Sequence, residues 1–532
     1  MRPFEQQIRF VVFRANVLEQ ELGLQPGPFS HKEPFKQLRQ VENHVAKHIA
    51  PCVCIAIEEH YIDRDHMEDH SVFYARSLFP YPNNCRRVHF FTKSIEEVER
   101  ALDDIRAQAA GKDLDAYRKA CRDFSANAYL GFSVVRPLRG CPVGRTVLSA
   151  PEGTGEVTAR PEFNCTRTYE VHFLGVDLFV KGLPFQQQDK AVAACATTAI
   201  WSSLHMARGL EDIGNATPAQ ITMRAAQNSL PFGRAMPSEG LSVDQMCQAI
   251  QATGVSTLLQ KAEKFDVARG LLYSATESAV APVLITKTRS GHHAVTVAGM
   301  LIRDDVAKPE NGVFDRAASL DTVYIHDDRL GPYIPAKVER QDESTGDPKR
   351  PKSMLVLVLP ADQKLVVTHI LIPMHAKVRN AFNELRGLSL DLASDVGSWR
   401  EAFGGQGESA GPLYVDAWIE RGHRYTFNLS HLDGVAMETV KKLSEHVVLP
   451  RYVGVIRLWG ETDLDKLDVL IDTTSTDRNI HAVAVVVTAS AKPATLSLAR
   501  YLNEKYQCHL VAEAFHEPPP IQTEPLGADR SA

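Results

Sequence analysis

The stretch Gln186-Gln-Gln-Asp-Lys-Ala-Val-Ala-Ala-Cys195-Ala-Thr-Thr-Ala-Ile-Trp201 decides how this chain is read. Glutamines lead through small residues to a cysteine, which opens an apolar helical pattern through Ala199, Ile200, Leu204 and Met206. A thiol at a helix N-terminus meets the positive end of the backbone dipoles, which favours the nucleophilic thiolate. An amide just upstream, together with the backbone N–H of Cys195, can donate to an oxyanion. Such a thiol still needs an imidazole to carry its proton and a group to fix the imidazole's tautomer.

Both partners have candidates further along. Thr217-Pro218 reads as an N-cap and first helical position for a second helix, to about Asn228. Ser242 opens a third, with Val243, Met246, Cys247 and Ile250 as its buried stripe and Gly254 as its stop. Strands follow at Val283–Lys287, His293–Met300 and Thr322–His326, the last two separated by a polar loop over 303–319. Gly291-His-His-Ala-Val295 thus supplies imidazoles, and Tyr324-Ile-His-Asp-Asp328 supplies carboxylates at a strand end. His326 alternates with Asp327 along its strand, faces the other way, and is set aside. Helices come first and antiparallel strands after, so cysteine and histidine lie on opposite layers.

These segments resemble papain-fold cysteine peptidases, and within them the bacterial group similar to double-glycine leader peptidases. That group carries Gln-x-Asp before a Cys-Gly-Pro/Ala-Thr/Ala helix start, then His-x-Val-Val-x-x-Gly, then a strand ending in Asp-Pro. Here stand Gln187-Gln-Asp189, Cys195-Ala-Thr-Thr-Ala199, His293-Ala-Val-Thr-Val-Ala-Gly299 and Val323-Tyr-Ile-His-Asp327. The resemblance implies a papain-like central domain with Cys195 as nucleophile, His293 as acid and base, and Asp327 as the orienting group. Asp328 is the alternative to Asp327, and Gln188 is the oxyanion amide, with Gln186 and Gln187 as alternatives. The family's glutamine lies six residues before the cysteine, where this chain has Asp189, so Gln188 requires a one-residue bulge. Ala196 replaces the usual glycine, and Asp328 stands where proline is common. The resemblance covers about 183–335.

At 532 residues the chain is too long for one core, and roughly three domains are expected. The expected fold class is α+β and multidomain: a papain-like domain over 183–372 flanked by mixed α/β domains over 1–180 and 375–515. Within 1–180, strands are expected at Cys52–Ile57, Arg86–Thr92, Tyr129–Val135 and Arg145–Leu148. Helices are expected from the Ser94/Glu97 capping box to Ala110 and over Leu114–Ala126, with a loop at 152–161 and a hairpin at Tyr169–Lys181. In the last third, a charged loop at Glu339–Lys352 precedes strands at Ser353–Leu359 and Leu365–Ile372. Then come a helix at Lys377–Leu388, a hairpin at Tyr414–Leu429 turning at Arg421-Gly422, a helix at Met437–His446 and a strand at Tyr452–Trp459. A strand at Ala482–Thr488, a helix at Leu496–Tyr506 and a disordered tail over 516–532 close the chain.

The net charge of -6 gives no basic footing for nucleic acid. No run of about 18 apolar residues predicts a membrane span, and no signal-peptide pattern opens the chain. Nine scattered cysteines without a Cys-x-x-Cys pair point to a reducing cytoplasm. His44, His48, His60, His66 and His70 lie among acidic residues, a mixture of zinc- or iron-ligand types. No His-Glu-x-x-His occurs among them, and a solvated acidic helix or loop is the favoured reading, so no metal or cofactor is assigned.

The expected activity is that of a cytoplasmic cysteine hydrolase, a peptidase or isopeptidase acting on a protein or peptide substrate through an acyl-thioester. Transfer of the acyl group to an amine, or a non-catalytic papain-like binding module, are the rival readings.

Overall fold

In the computed structural model, described residues are 8–24, 35–75, 77–78, 80–111, 113–138, 140–151, 159–189, 195–210, 214, 216–227, 240–288, 291–304, 313–343, 352–379, 382–403, 413–432, 435–460, 466–475, 481–488, 493–513 and 516–518. The fold is α+β in two compact units. The first comprises Met1–Ala268, Ala279–Asp304 and Leu320–His375; the second comprises Arg269–Ser278, Asp305–Ser319 and Ala376–Ala532.

The alternating apolar segments after residue 280 form an antiparallel up-and-down barrel in the first unit. Its six strands are Val283–Thr288, Gly291–Arg303, Leu320–Asp327, Gly331–Glu343, Lys352–Leu359 and Gln363–Met374. Closure comes from Val283–Thr288, which pairs with its hairpin partner on one edge and with Gln363–Met374 on the other. Ser256–Lys261 extends the sheet along Gln363–Met374, and Ala159–Glu162 pairs with Met300–Arg303. Helices Cys195–Leu210, Pro218–Ala225 and Val243–Gln251 pack on the barrel. Ile200, Trp201, Ile221, Met246 and Ile250 share one core with Val283, Ile285, Ala294 and Leu371, and half-buried Cys247 rests against it.

The N-terminal part of this unit is a five-stranded antiparallel meander: Ile8–Val12, Cys54–Tyr61, Cys85–Phe91, Tyr129–Val135 and Val143–Leu148. Helix Ile95–Ala110 starts at the Ser94/Glu97 capping box, where both reciprocal bonds are present, and is capped by Gly111. With helix Leu114–Ala128 and the hairpin Arg167–Phe173/Val176–Gly182 it covers one face through Val98, Leu102, Cys121, Phe173 and Leu178. Helix Lys36–Ala46 covers the other face, and its Leu38 and Val41 share a core with Phe185, Ala298 and Tyr333. That shared core joins the meander to the barrel.

The second unit holds a seven-stranded sheet in the order Val313–Asp315, Leu413–Arg421, Tyr452–Trp459, Lys466–Asp472, Ala482–Val487, His509–Val511 and His516–Glu517. Arg457 makes two 2.7 Å bonds to the buried Asp468 carboxylate, which also accepts from Tyr425 at 2.9 Å.

Several expectations need correction. The hairpin at Tyr414–Leu429 is one strand, Leu413–Arg421, followed by helix Gly422–Ser430; Tyr425 and Leu429 are buried one helical turn apart, and that spacing overrides the strand-forming composition. The loop expected from Glu339 is still strand up to Glu343, at an exposed end where charges face solvent and Glu343 pairs opposite Lys352. The helix expected at Lys377–Leu388 spans Phe382–Phe403. Val313–Asp315 is a strand within the expected polar loop, and Ala159–Glu162 is a strand where the 152–161 loop was expected. His516–Glu517 pairs with Leu510–Val511, while residues 519–532 of the expected tail and 152–158 of the loop lie outside the described residues.

Candidate active site

Cys195 is the first residue of its helix and is half-buried, so its sulfur is within reach of solvent. Hydroxyl groups moor the helix. Ser202 Oγ donates to the Pro184 carbonyl at 2.5 Å, Ser203 Oγ to the Ala281 carbonyl, and Thr296 Oγ1, from the barrel, to the Ala199 carbonyl at 2.8 Å. Thr198 Oγ1 closes the first turn on the Cys195 carbonyl at 2.9 Å. The bonds from Ser202, Ser203 and Thr296 fix the helix against its neighbours.

His293 lies near the start of strand Gly291–Arg303, fully buried, whereas its neighbour His292 is exposed. The adjacent strand ends at Asp327, with Thr296 opposite His326 in the register. His293 Nε2 stands 3.0 Å from Asp327 Oδ2. Cys195 is among the side chains that raise the imidazole's pKa, and the Asp327 contact leaves Nδ1 as the nitrogen that can face it. Asp327 is itself held by the Arg329 amide, which donates to Oδ1 at 2.8 Å.

Electrostatics set the protonation of this cluster. Burial opposes a charge on His293. The bond to Asp327, the Cys195 side chain and the charges of Asp327 and Asp328 outweigh it and push the imidazole up to about 10. Burial also opposes ionisation of Asp327, but its bond to His293, with the charges of His293 and Arg329, holds it below the usual carboxylate range. Arg329 Nε lies 3.3 Å from His293 Nε2. Nε2 cannot donate to Asp327 and accept from Arg329 at once, and the charge-assisted bond to Asp327 is the stronger.

Asp328 is a second buried carboxylate beside the same ring, with Oδ1 3.7 Å from His293 Nε2. Asp327 ends its strand and Asp328 opens the turn that follows, where strand alternation no longer applies. Among the described residues, neither oxygen of Asp328 has a hydrogen-bond partner. Burial first, and the Asp327 charge next, push it up to about 7.

The three glutamines separate clearly. Gln187 is consumed by the N-terminal meander: its Oε1 accepts from the Val143 amide at 3.2 Å, and its Nε2 donates to the Gly140 carbonyl at 3.3 Å. Gln188 is half-buried, and no hydrogen bond ties it to the cysteine–histidine cluster among the described residues. Gln186 is buried, and its Nε2 has no partner. Two residues earlier, the Pro184 carbonyl accepts from Ser202 on the cysteine helix and from His326 Nδ1 at 3.2 Å, beside Asp327.

Sequence reasoning missed the residue that holds this segment. Arg136 is buried, and its guanidinium donates to the carbonyls of Gln187 at 2.9 Å and of Cys141 and Val143 at 3.1 Å. It also contacts Asp189 at 3.4 Å. A clamp spanning some fifty positions leaves no local signature; its only cue is an arginine directly after an apolar strand.

Three of the five histidines near the N-terminus use their rings on backbone oxygens, while His48 Nδ1 accepts from the Ala50 amide and His60 Nδ1 pairs with the Asn84 side chain. His44 Nε2 meets the Ser149 carbonyl at 2.8 Å, His66 Nε2 that of Pro82 at 3.1 Å, and His70 Nε2 that of Tyr81 at 2.9 Å. They do not converge on a three-ligand cluster among the described residues, whereas His293, Asp327 and Asp328 do. None of the described helices is long and apolar enough to cross a membrane. No protein-family model matches this chain, and no curated protein shows significant similarity to it.

Proposed function

We propose that the chain is a papain-like cysteine hydrolase, a peptidase or isopeptidase of the cytoplasm that cleaves a peptide-like amide through an acyl-thioester at Cys195. The observation that carries this reading is the placement of His293 between the thiol of a helix-initial cysteine and a buried, ionised Asp327. Three helices followed by antiparallel strands, with thiol and imidazole on separate layers, also support it.

In this mechanism His293 takes the thiol proton as Sγ attacks the amide carbon, and the carbonyl oxygen becomes an oxyanion. The Cys195 N–H and the Gln186 amide donate to that oxygen. Collapse breaks the C–N bond, and Nδ1 gives its proton to the departing amine. Water then adds to the thioester, passing a proton to Nδ1, and the acid leaves as the thiolate re-forms. Asp327 keeps Nε2 protonated and the ring aimed throughout.

A thiol-directed activity probe tests the proposal on the full chain. Labelling at Cys195 that vanishes in Cys195→Ala and falls in His293→Ala supports it. A chain left unlabelled at Cys195 under native conditions, yet labelled there once denatured, would favour a binding role. Product analysis with and without an added amine separates hydrolysis from acyl transfer.

A further inference from the structure

We propose that His293, Asp327 and Asp328 also form a binding site for a divalent cation of the zinc class, whose occupancy withdraws the catalytic acid. The proposal rests on the hydrolase reading for its consequence, but not for the site itself.

The ligand atoms of the three side chains all lie within 4.8 Å of one another. Nε2 is 3.0 Å from Asp327 Oδ2 and 3.7 Å from Asp328 Oδ1. Ligands held about 2.0–2.2 Å from a tetrahedral ion lie roughly 3.3 Å apart, between those two separations. The second, independent observation is Asp328 itself: almost completely buried, aimed at the ring, with both oxygens unpartnered among the described residues. A buried carboxylate without a partner is costly, and a cation relieves that cost. Two carboxylates and a neutral imidazole neutralise a doubly charged ion. A cleft of about 770 Å³ reaches one of the three ligands, Asp327, beside Thr288 and Arg329; Lys36 and Lys364 also line it, and His293 and Asp328 do not. Arg329 must swing into that cleft as the ion enters, since its Nε lies 3.3 Å from Nε2.

Binding replaces the proton on Nε2, which passes to solvent. The ring keeps one proton, on Nδ1, facing Cys195. Donating that proton would now leave an imidazolate, so His293 no longer serves as the acid that releases the amine.

Titration of the full chain with zinc, followed calorimetrically in two buffers of different ionisation enthalpy, tests this. We expect one tight ion per chain with release of about one proton near neutral pH. Affinity should fall at least about tenfold in Asp328→Asn, and remain in Cys195→Ala and in His172→Ala, which removes the exposed Glu170–His172–Asp177 alternative. Cobalt(II) should give ligand-field bands without thiolate charge transfer, a readout that does not depend on the fold of a variant. Absence of tight binding, binding indifferent to Asp328→Asn, or binding lost in Cys195→Ala would overturn the proposal. If the ion binds as described but Cys195 resists the activity probe, the hydrolase reading fails and the metal site stands. The converse pair of results removes the site and leaves the hydrolase.

Discussion

Thr296 Oγ1 donates to the carbonyl of Ala199 at 2.8 Å, and this single bond ties the strand that carries His293 to the helix that begins with Cys195. Both residues are buried, so the carbonyl has no access to water as a substitute. Thr296→Val keeps the shape and removes this second bond to a carbonyl that keeps its in-helix partner, at a cost of about 0.5–1.5 kcal/mol. We expect a lower denaturation midpoint and slower labelling of Cys195. A Thr296→Val chain of undiminished stability would mean that the bond contributes nothing.

Asp327 and Asp328 both face His293, but only Asp327 makes the 3.0 Å contact. Asp327→Asn should slow Cys195 alkylation at neutral pH by about 10²-fold or more, the scale of lost acid–base assistance. Asp328→Asn should slow it far less. The reverse order would transfer the orienting role to Asp328.

Gln186→Ala should lower turnover by about 10²–10³ without altering Cys195 alkylation, because an oxyanion donor acts only in the transition state of acyl transfer. Gln187→Ala should act on stability, through the orphaned amide of Val143. Parallel turnover measurements on Gln188→Ala decide the assignment, since a comparable loss there would return the role to Gln188.

The shifted groups give stability a defined pH dependence. His293 rises from 6.5 to about 10, so its contribution is complete below 6.5 and is lost as pH rises through about 10. Asp328 rises from 3.8 to about 7, so the folded state holds an extra proton in that window and stability falls as pH climbs across it. Asp327 has the opposite sign: it stabilises above 3.8, and the gain is lost as pH falls through its lower folded value. Denaturant unfolding from pH 4 to 11 should therefore show the decline below about pH 7 disappear in Asp328→Asn and the alkaline decline disappear in His293→Ala. Unchanged curves in both variants would remove the electrostatic account of the cluster.

Much of this was legible because its signals are local. Ser94/Glu97, Thr217-Pro218 and Ser242 mark helix starts by side chain-to-backbone bonds made within one turn, and each helix begins there. Alternation marked most of the barrel strands. Gly331–Glu343 escaped because Pro332, Pro335 and a left-handed Tyr333 (φ 52°) interrupt its period, and long-range pairing supplies what the local sequence withholds. Helix Phe265–Glu277 and strand Lys466–Asp472 were also missed. At the site, cysteine, histidine and aspartate could be ordered along the chain. The choice among Gln186, Gln187 and Gln188 could not, because it depends on the distant Arg136, Gly140 and Val143.

Closure of the barrel bears on how a substrate is read. A peptide often docks on an enzyme by adding itself as a strand to an open sheet edge, which recognises main chain and tolerates varied side chains. The strand that carries His293 already has Val283–Thr288 along one side and Leu320–Asp327 along the other, and Val283–Thr288 in turn is enclosed by Gln363–Met374. The ladder with Leu320–Asp327 begins only at Thr296, opposite His326, so beside the imidazole this strand is paired on the Val283–Thr288 side alone. Main-chain pairing by a peptide is therefore confined on the open side to the few residues from Gly291 to Val295, and recognition of a longer ligand falls to side-chain contacts.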